Sequence, residues 1–259
     1  MRLQEEIDNI VRERSIEDRT KITKVIENAL HFIEYQDGVR RGKYSKVLNL
    51  LSDYLDSIYR VDEERTEKLL VEDFLQSVCD DTRRAMGQRE LEIVQDFVKG
   101  VTITANRSAL QKVCSGILRN AVENTPDEGR IEVTAKIEGD QMVIRFRDFG
   151  TGITAENQRL VFTGFFHTQD TDLYSTKAPY DFNAGGSGAD LLRTKVFSER
   201  YGFEIDFEST RCSYIPEDID ECPGRISLCQ FIGNRSDCFA SGTIFSLRIP
   251  MKKGVEEVL

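Results

Sequence analysis

Four groups of residues in this sequence have types and spacings that could do chemistry. The first is Asp148-Phe149-Gly150-Thr151-Gly152-Ile153, which closes a strand-like run, Gln141–Arg147. A carboxylate at a strand end can accept a hydrogen bond from a polar ligand edge. Glycines at alternate positions let the backbone turn tightly and approach a ligand with no Cβ between. An ordinary turn carries the same pattern. The second group is Ala184-Gly185-Gly186-Ser187-Gly188, which runs straight into a helical stretch starting at Ala189. Glycines that open a helix leave free N–H groups and a dipole aimed at an anion. The third is Asn120, a poor helix former in the middle of a helical pattern, where a surface Asn is the plainer reading. The fourth is Cys212, Cys222, Cys229 and Cys238, four of the six cysteines, all between Thr210 and Ala240. A segment that short buries little core, so Zn²⁺ held by four thiolates is one reading. The spacing has no Cys-x-x-Cys pair, so reduced packing thiols or a disulfide remain alternatives.

The elements that must position these groups read as follows. Residues 73–87 form a helix, with Glu72 and Asp73 suited to its first turn. Leu91–Phe97 and Val101–Ala105 are strands. Asn106 is an N-cap for a helix from Arg107 to about Asn124, which ends at Thr125-Pro126. That helix turns Leu110, Val113, Cys114, Ile117, Leu118 and Ala121 to a core, and gathers Gly116, Asn120, Glu123 and Asn124 on another side. A hairpin follows, Arg130–Ile137 and Gln141–Asp148, and then a short helix over Ala155–Val161. Residues 167–184 are loop-like, a length that is functional or disordered inside a domain. A helix at Ala189–Tyr201 and strands at Gly202–Ser209 and Gly242–Ile249 complete this body.

Upstream, apolar residues recur at helical spacing over 1–64, with a glycine-containing break at Asp37–Gly42. Two helices joined by a short turn form a hairpin. It would gain a core by pairing with a second copy as a four-helix bundle, or by packing on the rest of the chain. The sequence divides on this reading into 1–66 and 67–259, with the cysteine-containing insertion at 210–240. The net charge of −10 over 259 residues disfavours non-specific nucleic-acid binding. No run approaches a membrane span and no signal peptide opens the chain, so the expectation is a cytoplasmic protein without membrane contact.

In order and spacing, residues 73–249 resemble the ATP-binding catalytic domain of sensor histidine kinases, in the superfamily shared with gyrase, Hsp90 and MutL. Ile117-Leu-Arg-Asn-Ala-Val-Glu-Asn-Thr-Pro126 resembles the N box and Asp148–Ile153 the G1 box. Phe162 with Phe165-Phe166 resembles the F box, and Gly185–Leu191 the G2 box. The resemblance implies an α+β fold, a two-layer α/β sandwich, behind an antiparallel helical hairpin that makes a homodimer. It implies ATP and Mg²⁺ as cofactors. Asn120 would hold Mg²⁺ against the phosphates, and Asp148 would accept from the adenine amino group. Asn124, Gly150, Gly152, Ile153 and Phe162 would line the nucleotide, Gly186 and Gly188 would hinge the lid, and Lys195 would lie near the phosphates. A response regulator receiver domain would be the partner.

The sequence departs from the family in three places. The phosphoacceptor motif aligns on Ile16-Glu17-Asp18-Arg19-Thr20-Lys21-Ile22, with Ile16 where the histidine belongs. His31 lies close to the turn of the hairpin and is a weaker candidate. Glu123 replaces a lysine common in the N box, and Asp190 replaces a glycine of the G2 box. Each would set a carboxylate near the phosphates, a repulsion of about 3 kcal/mol at ~5 Å before screening. Gly116 stands where a hydrolysing relative would carry a general base. The expected function is thus a two-component signalling protein that binds Mg-ATP for phosphoryl transfer to His and then Asp. Its alternative is a nucleotide-binding signalling module without autophosphorylation. An ATP-driven clamp of the Hsp90 or MutL kind is disfavoured by Gly116 and the helical hairpin.

Overall fold

The computed structural model describes residues 66–162, 178–184, 189–215 and 222–251. The chain divides into two units, Met1–Asp62 and Glu63–Leu259, and every described residue belongs to the second. The expected hairpin, Ile16 and His31 therefore lie outside the described residues, as do Phe165, Phe166, Gly186 and Gly188.

The body is a mixed sheet of five strands covered by helices. In chain order come β1 (Glu67–Leu70), α1 (Val71–Ala85), β2 (Glu92–Phe97), β3 (Thr102–Ala105) and α2 (Arg107–Asn124). They are followed by β4 (Arg130–Glu138), β5 (Gln141–Asp148), α3 (Ala155–Gln158), α4 (Ala189–Tyr201), β6 (Glu204–Thr210) and β7 (Gly242–Pro250). The large sheet has the order β2-β4-β5-β7-β6; β2 and β4 are parallel and the other pairs antiparallel. The expected α+β sandwich is the fold observed.

Local chemistry explains most of these bounds. The Asn106 side chain accepts from Ala109 N at 2.9 Å, so α2 starts where an N-cap was expected. The C-terminal end of α2 stops at Thr125, whose N–H and hydroxyl both donate to Ala121 O, with Pro126 next. The alternating pattern of β4 buries Ile131, Val133 and Ala135. On β5, Met142, Ile144 and Phe146 are buried in the same rhythm, and the helices bury Leu75, Leu110, Ile117 and Phe197.

Two elements differ from the sequence reading. A short strand, β1, precedes the first helix and pairs with β3 as a separate two-stranded sheet. The pattern gave no sign of it, because a four-residue strand has too few residues to show a period. The helix after Asp148 is only Ala155–Gln158, capped by Thr154, whose hydroxyl accepts from Asn157 N. Among the described residues no helix is long and apolar enough to cross a membrane.

Candidate functional site

Asp148 closes β5, the middle strand of the sheet, and is 5% exposed. Its Oδ1 accepts from Gly150 N at 3.0 Å and from Thr243 N at 3.1 Å. Oδ2 accepts no hydrogen bond among the described residues, which leaves one fixed acceptor for a ligand. Burial pushes the carboxyl up to about 7, against the pull of the two backbone N–H groups.

The glycines after Asp148 do something the sequence did not announce. They make room for the protein's own backbone. A Cβ on Gly150 would stand 2.2 Å from Asn124 O, at the end of α2. A Cβ on Gly152, where φ is +65°, would stand 2.0 Å from Thr210 O at the end of β6. Thr151 N donates to Asn124 O and Cys212 N donates to Thr151 O. Ile153 N donates to Ser209 Oγ, and Gln158 spans Ile153 O and Ser209 O. The loop is thus pinned between the end of α2 and the end of β6, with Asp148 at its root. Phe149 is locked too: Arg147 and Arg130 stack on its faces at 4.4 and 5.0 Å, and Phe239 meets it edge-on.

On α2, Asn120 is half-buried and its side-chain amide makes no hydrogen bond among the described residues. Its carbonyl receives the Asn124 side chain at 2.8 Å, so the Asn124 amide is already engaged within the helix. Asn124 enters the site chiefly through its main-chain oxygen.

The two unexpected carboxylates are paired with cations of the same chain. Arg119 bridges them, pairing with Asp190 and lying 3.6 Å from Glu123 Oε1. Arg193 adds a second cation at 3.2 Å from Asp190. Glu123, 4% exposed, also accepts from Tyr180 N at 3.2 Å, and its carbonyl receives Asn183 N at 2.8 Å. It therefore anchors the end of the long loop to α2. Gly116 gains a purpose: a Cβ there would be 3.3 Å from Asp190 Cβ, so the missing side chain is the space that admits Asp190.

Arg89 escaped the sequence reading. Its guanidinium donates to Val122 O at 3.1 Å and Thr125 O at 2.6 Å, which lie at the open end of α2, and to Asp127 Oδ1 at 2.7 Å. The remaining bond goes to Tyr180 O at 2.6 Å. One side chain caps a helix and ties the loop to it. The only trace in the sequence was an arginine in an unassigned turn.

Two candidates have ordinary surroundings. Lys195 is half-buried and faces Glu199 at 3.6 Å along its own helix. Phe162 is half-buried and packs edge-on against Phe207 and Phe245, centroids 5.6 and 6.5 Å away.

The insertion between β6 and β7 contains two 3₁₀ turns, Ile226–Leu228 and Arg235–Ala240. It grips the turn after α2: Arg225 pairs with Glu90 and Glu128, Ser227 binds Glu128, and Asp127 exchanges main-chain bonds with Gly224 and Ile226. Its four cysteines are free thiols, and Cys238 is buried. No group of three or more His, Cys, Asp or Glu is arranged to hold a metal among the described residues.

The fold is an α/β sandwich in which a carboxylate is fixed at the end of the central strand and a helix of the covering layer presents an amide. Residues 105–253, more than half of the chain, match the family described as histidine kinase-, DNA gyrase B-, and HSP90-like ATPase. The chain belongs to that family. Within it, the chain is similar to sensor kinases. It is 31% identical over 176 residues to the sensor protein KdpD of Rathayibacter rathayi, which covers 66% of this chain and 19% of that protein. It is 28% identical over 149 residues to a mitochondrial pyruvate dehydrogenase kinase of Saccharomyces cerevisiae, over 54% of this chain and 37% of the relative. The chain thus spans well under half of these relatives. Among solved structures, full-length ShkA in complex with AMPPNP matches with a TM-score of 0.56 at 16% identity, over 93% of this chain and 40% of that one. The Acinetobacter baumannii histidine kinase AdeS matches at 0.51 and 15%, over 93% of this chain and all of that one. These likenesses show the fold.

Proposed function

We propose that this chain is the ATP-binding part of a cytoplasmic two-component signalling protein, built to present Mg-ATP for phosphoryl transfer to a histidine and onward to an aspartate of a response regulator. The observation that carries the reading is Asp148, a buried carboxylate with one oxygen held by two backbone N–H groups and the other left for a ligand amino group. Asn120, with its amide uncommitted among the described residues, is the side chain that would hold Mg²⁺, the ion that neutralises phosphate charge. Arg119 and Arg193 compensate Glu123 and Asp190, so the phosphate end need not repel its ligand. Residues 1–66 would supply the homodimer contact.

A second reading rests on one specific residue. Ile16 occupies the phosphoacceptor position, and His31 and His167 are the only histidines in the chain. A module that binds nucleotide without phosphorylating itself matches that substitution.

Two measurements decide between them. Calorimetric titration with ATP and Mg²⁺ comes first; absence of binding at about 1 mM, near −4 kcal/mol, sinks both readings. Incubation with radiolabelled ATP comes next. Acid-labile, base-stable phosphate on the chain, lost in His31→Ala, supports the kinase reading. Tight binding with no label supports the second.

A further inference from the structure

We propose that Cys212, Cys222, Cys229 and Cys238 bind one zinc ion as a four-thiolate site that braces the back of the nucleotide loop. Although the four are dispersed over the insertion, they all line a single cavity of about 20 Å³. A space of that size has room for one atom-sized occupant. The rest of its wall is largely apolar, with Pro126, Ile215, Phe231 and Ile232 among its members. A water molecule needs several polar partners, and this wall has few to give it. A soft cation asks for sulfur, and sulfur is what converges here.

Two further observations point the same way. The insertion also has almost no core of its own: Ile226 and Cys238 are its buried apolar side chains among the described residues. Segments so poor in core are commonly held by a metal or a disulfide, and these cysteines are unpaired. Finally, the same cavity is lined by Gly150 and Thr151, and Cys212 N donates to Thr151 O at 2.9 Å. The site therefore lies directly behind the loop that carries Asp148.

The four residues line the cavity, but no three of their side chains stand at metal-binding separation in this structure. Binding must draw them inward to the Zn–S distance of about 2.3 Å. Four S–H groups become four Zn–S bonds, four protons leave, and no oxidation state changes. The ion would tie the start of the insertion, after β6, to its end, before β7.

The test uses the full chain purified under reducing conditions without chelator. Elemental analysis should give about one zinc per chain, as a closed four-thiolate site requires. Cys222→Ser and Cys229→Ser should lose that zinc, while Cys79→Ser and Asp148→Asn keep it. Retention in Asp148→Asn separates this site from the nucleotide reading. Should the cysteine variants not fold, cobalt supplied in place of zinc gives an independent readout. Tetrahedral thiolate coordination then produces an intense sulfur-to-cobalt absorption at one equivalent. Alkylation of the zinc-loaded chain should spare the four insertion cysteines until a chelator is added. Folded protein with only trace zinc and four reactive thiols overturns the proposal. So does freshly prepared protein with these cysteines in disulfides, or with stoichiometric iron and visible absorption in place of zinc.

Discussion

The two ends of the candidate nucleotide site are built by different means. The Asp148 end is held by main chain. Gly150 and Gly152 pack against the carbonyls of Asn124 and Thr210, and backbone N–H groups fix the carboxylate. The α2–α4 end is held by side-chain charge, with Arg119 between Glu123 and Asp190 and Arg193 beside them. Backbone packing gives one geometry and tolerates no added atom. A charge cluster gives a set of partners that an incoming phosphate can reshuffle. On the proposed function, the first end would meet the base and the second the phosphates.

The largest expected effect comes from intruding on the main-chain end. Gly152→Ala adds a Cβ at a positive φ and 2.0 Å from Thr210 O. It should lower unfolding free energy by about 3 kcal/mol or more, read from urea midpoints. Gly139→Ala has nearly the same φ, +64°, and open space around it, and should cost only about 1 kcal/mol. Equal losses in the two would break the argument from close packing.

Removing the shared cation comes next. Arg119→Met leaves two carboxylates with less compensation. Loss of one partner of a buried pair costs about 3–5 kcal/mol, and with Arg119 28% exposed, screening should bring that to about 2 kcal/mol. Adding Glu123→Gln to Arg119→Met should recover about 1 kcal/mol; zero coupling in this double-mutant cycle would dissolve the cluster as a unit.

Asp148→Asn should weaken ATP binding by about 2 kcal/mol, roughly 30-fold, in calorimetry. The same residue sets a pH dependence. Its folded-state value, about 7, lies above the ordinary 3.8 because of burial. Between those values the folded chain holds more protons than the unfolded one. Stability from this group is thus complete below pH 3.8 and is lost as pH rises through 7. ATP affinity should move the other way, rising as the carboxyl ionises, and Asp148→Asn should flatten both profiles. At the bottom of the scale, Lys195→Ala removes a part-exposed i,i+4 pair and should change stability by less than about 0.5 kcal/mol. A large loss of ATP affinity in that variant would return Lys195 to the site.

Much of this was legible in residues close together in the chain. The N-cap at Asn106, the stop at Thr125-Pro126 and the strand before Asp148 are local events with local signals. Arg89 was not legible, because its four partners lie at Val122, Thr125, Asp127 and Tyr180 and only folding assembles them. Nor was the role of Gly116, which depends on a contact with Asp190, more than seventy positions away.

The sequence by itself determined which groups could meet a nucleotide: one carboxylate at a strand end, one amide on a helix, and glycines around both. It also set the anomalies at Ile16, Glu123 and Asp190. Only the tertiary structure decided what those groups do with one another. It turned the glycines of the Asp148 loop toward the protein's own carbonyls, and it brought one arginine between two carboxylates that looked repulsive apart. It also gathered four scattered cysteines on one small cavity. Residue type and periodicity act over a few neighbours, whereas charge compensation and close packing depend on distances in space. Those distances are set when the sheet and its helices come together.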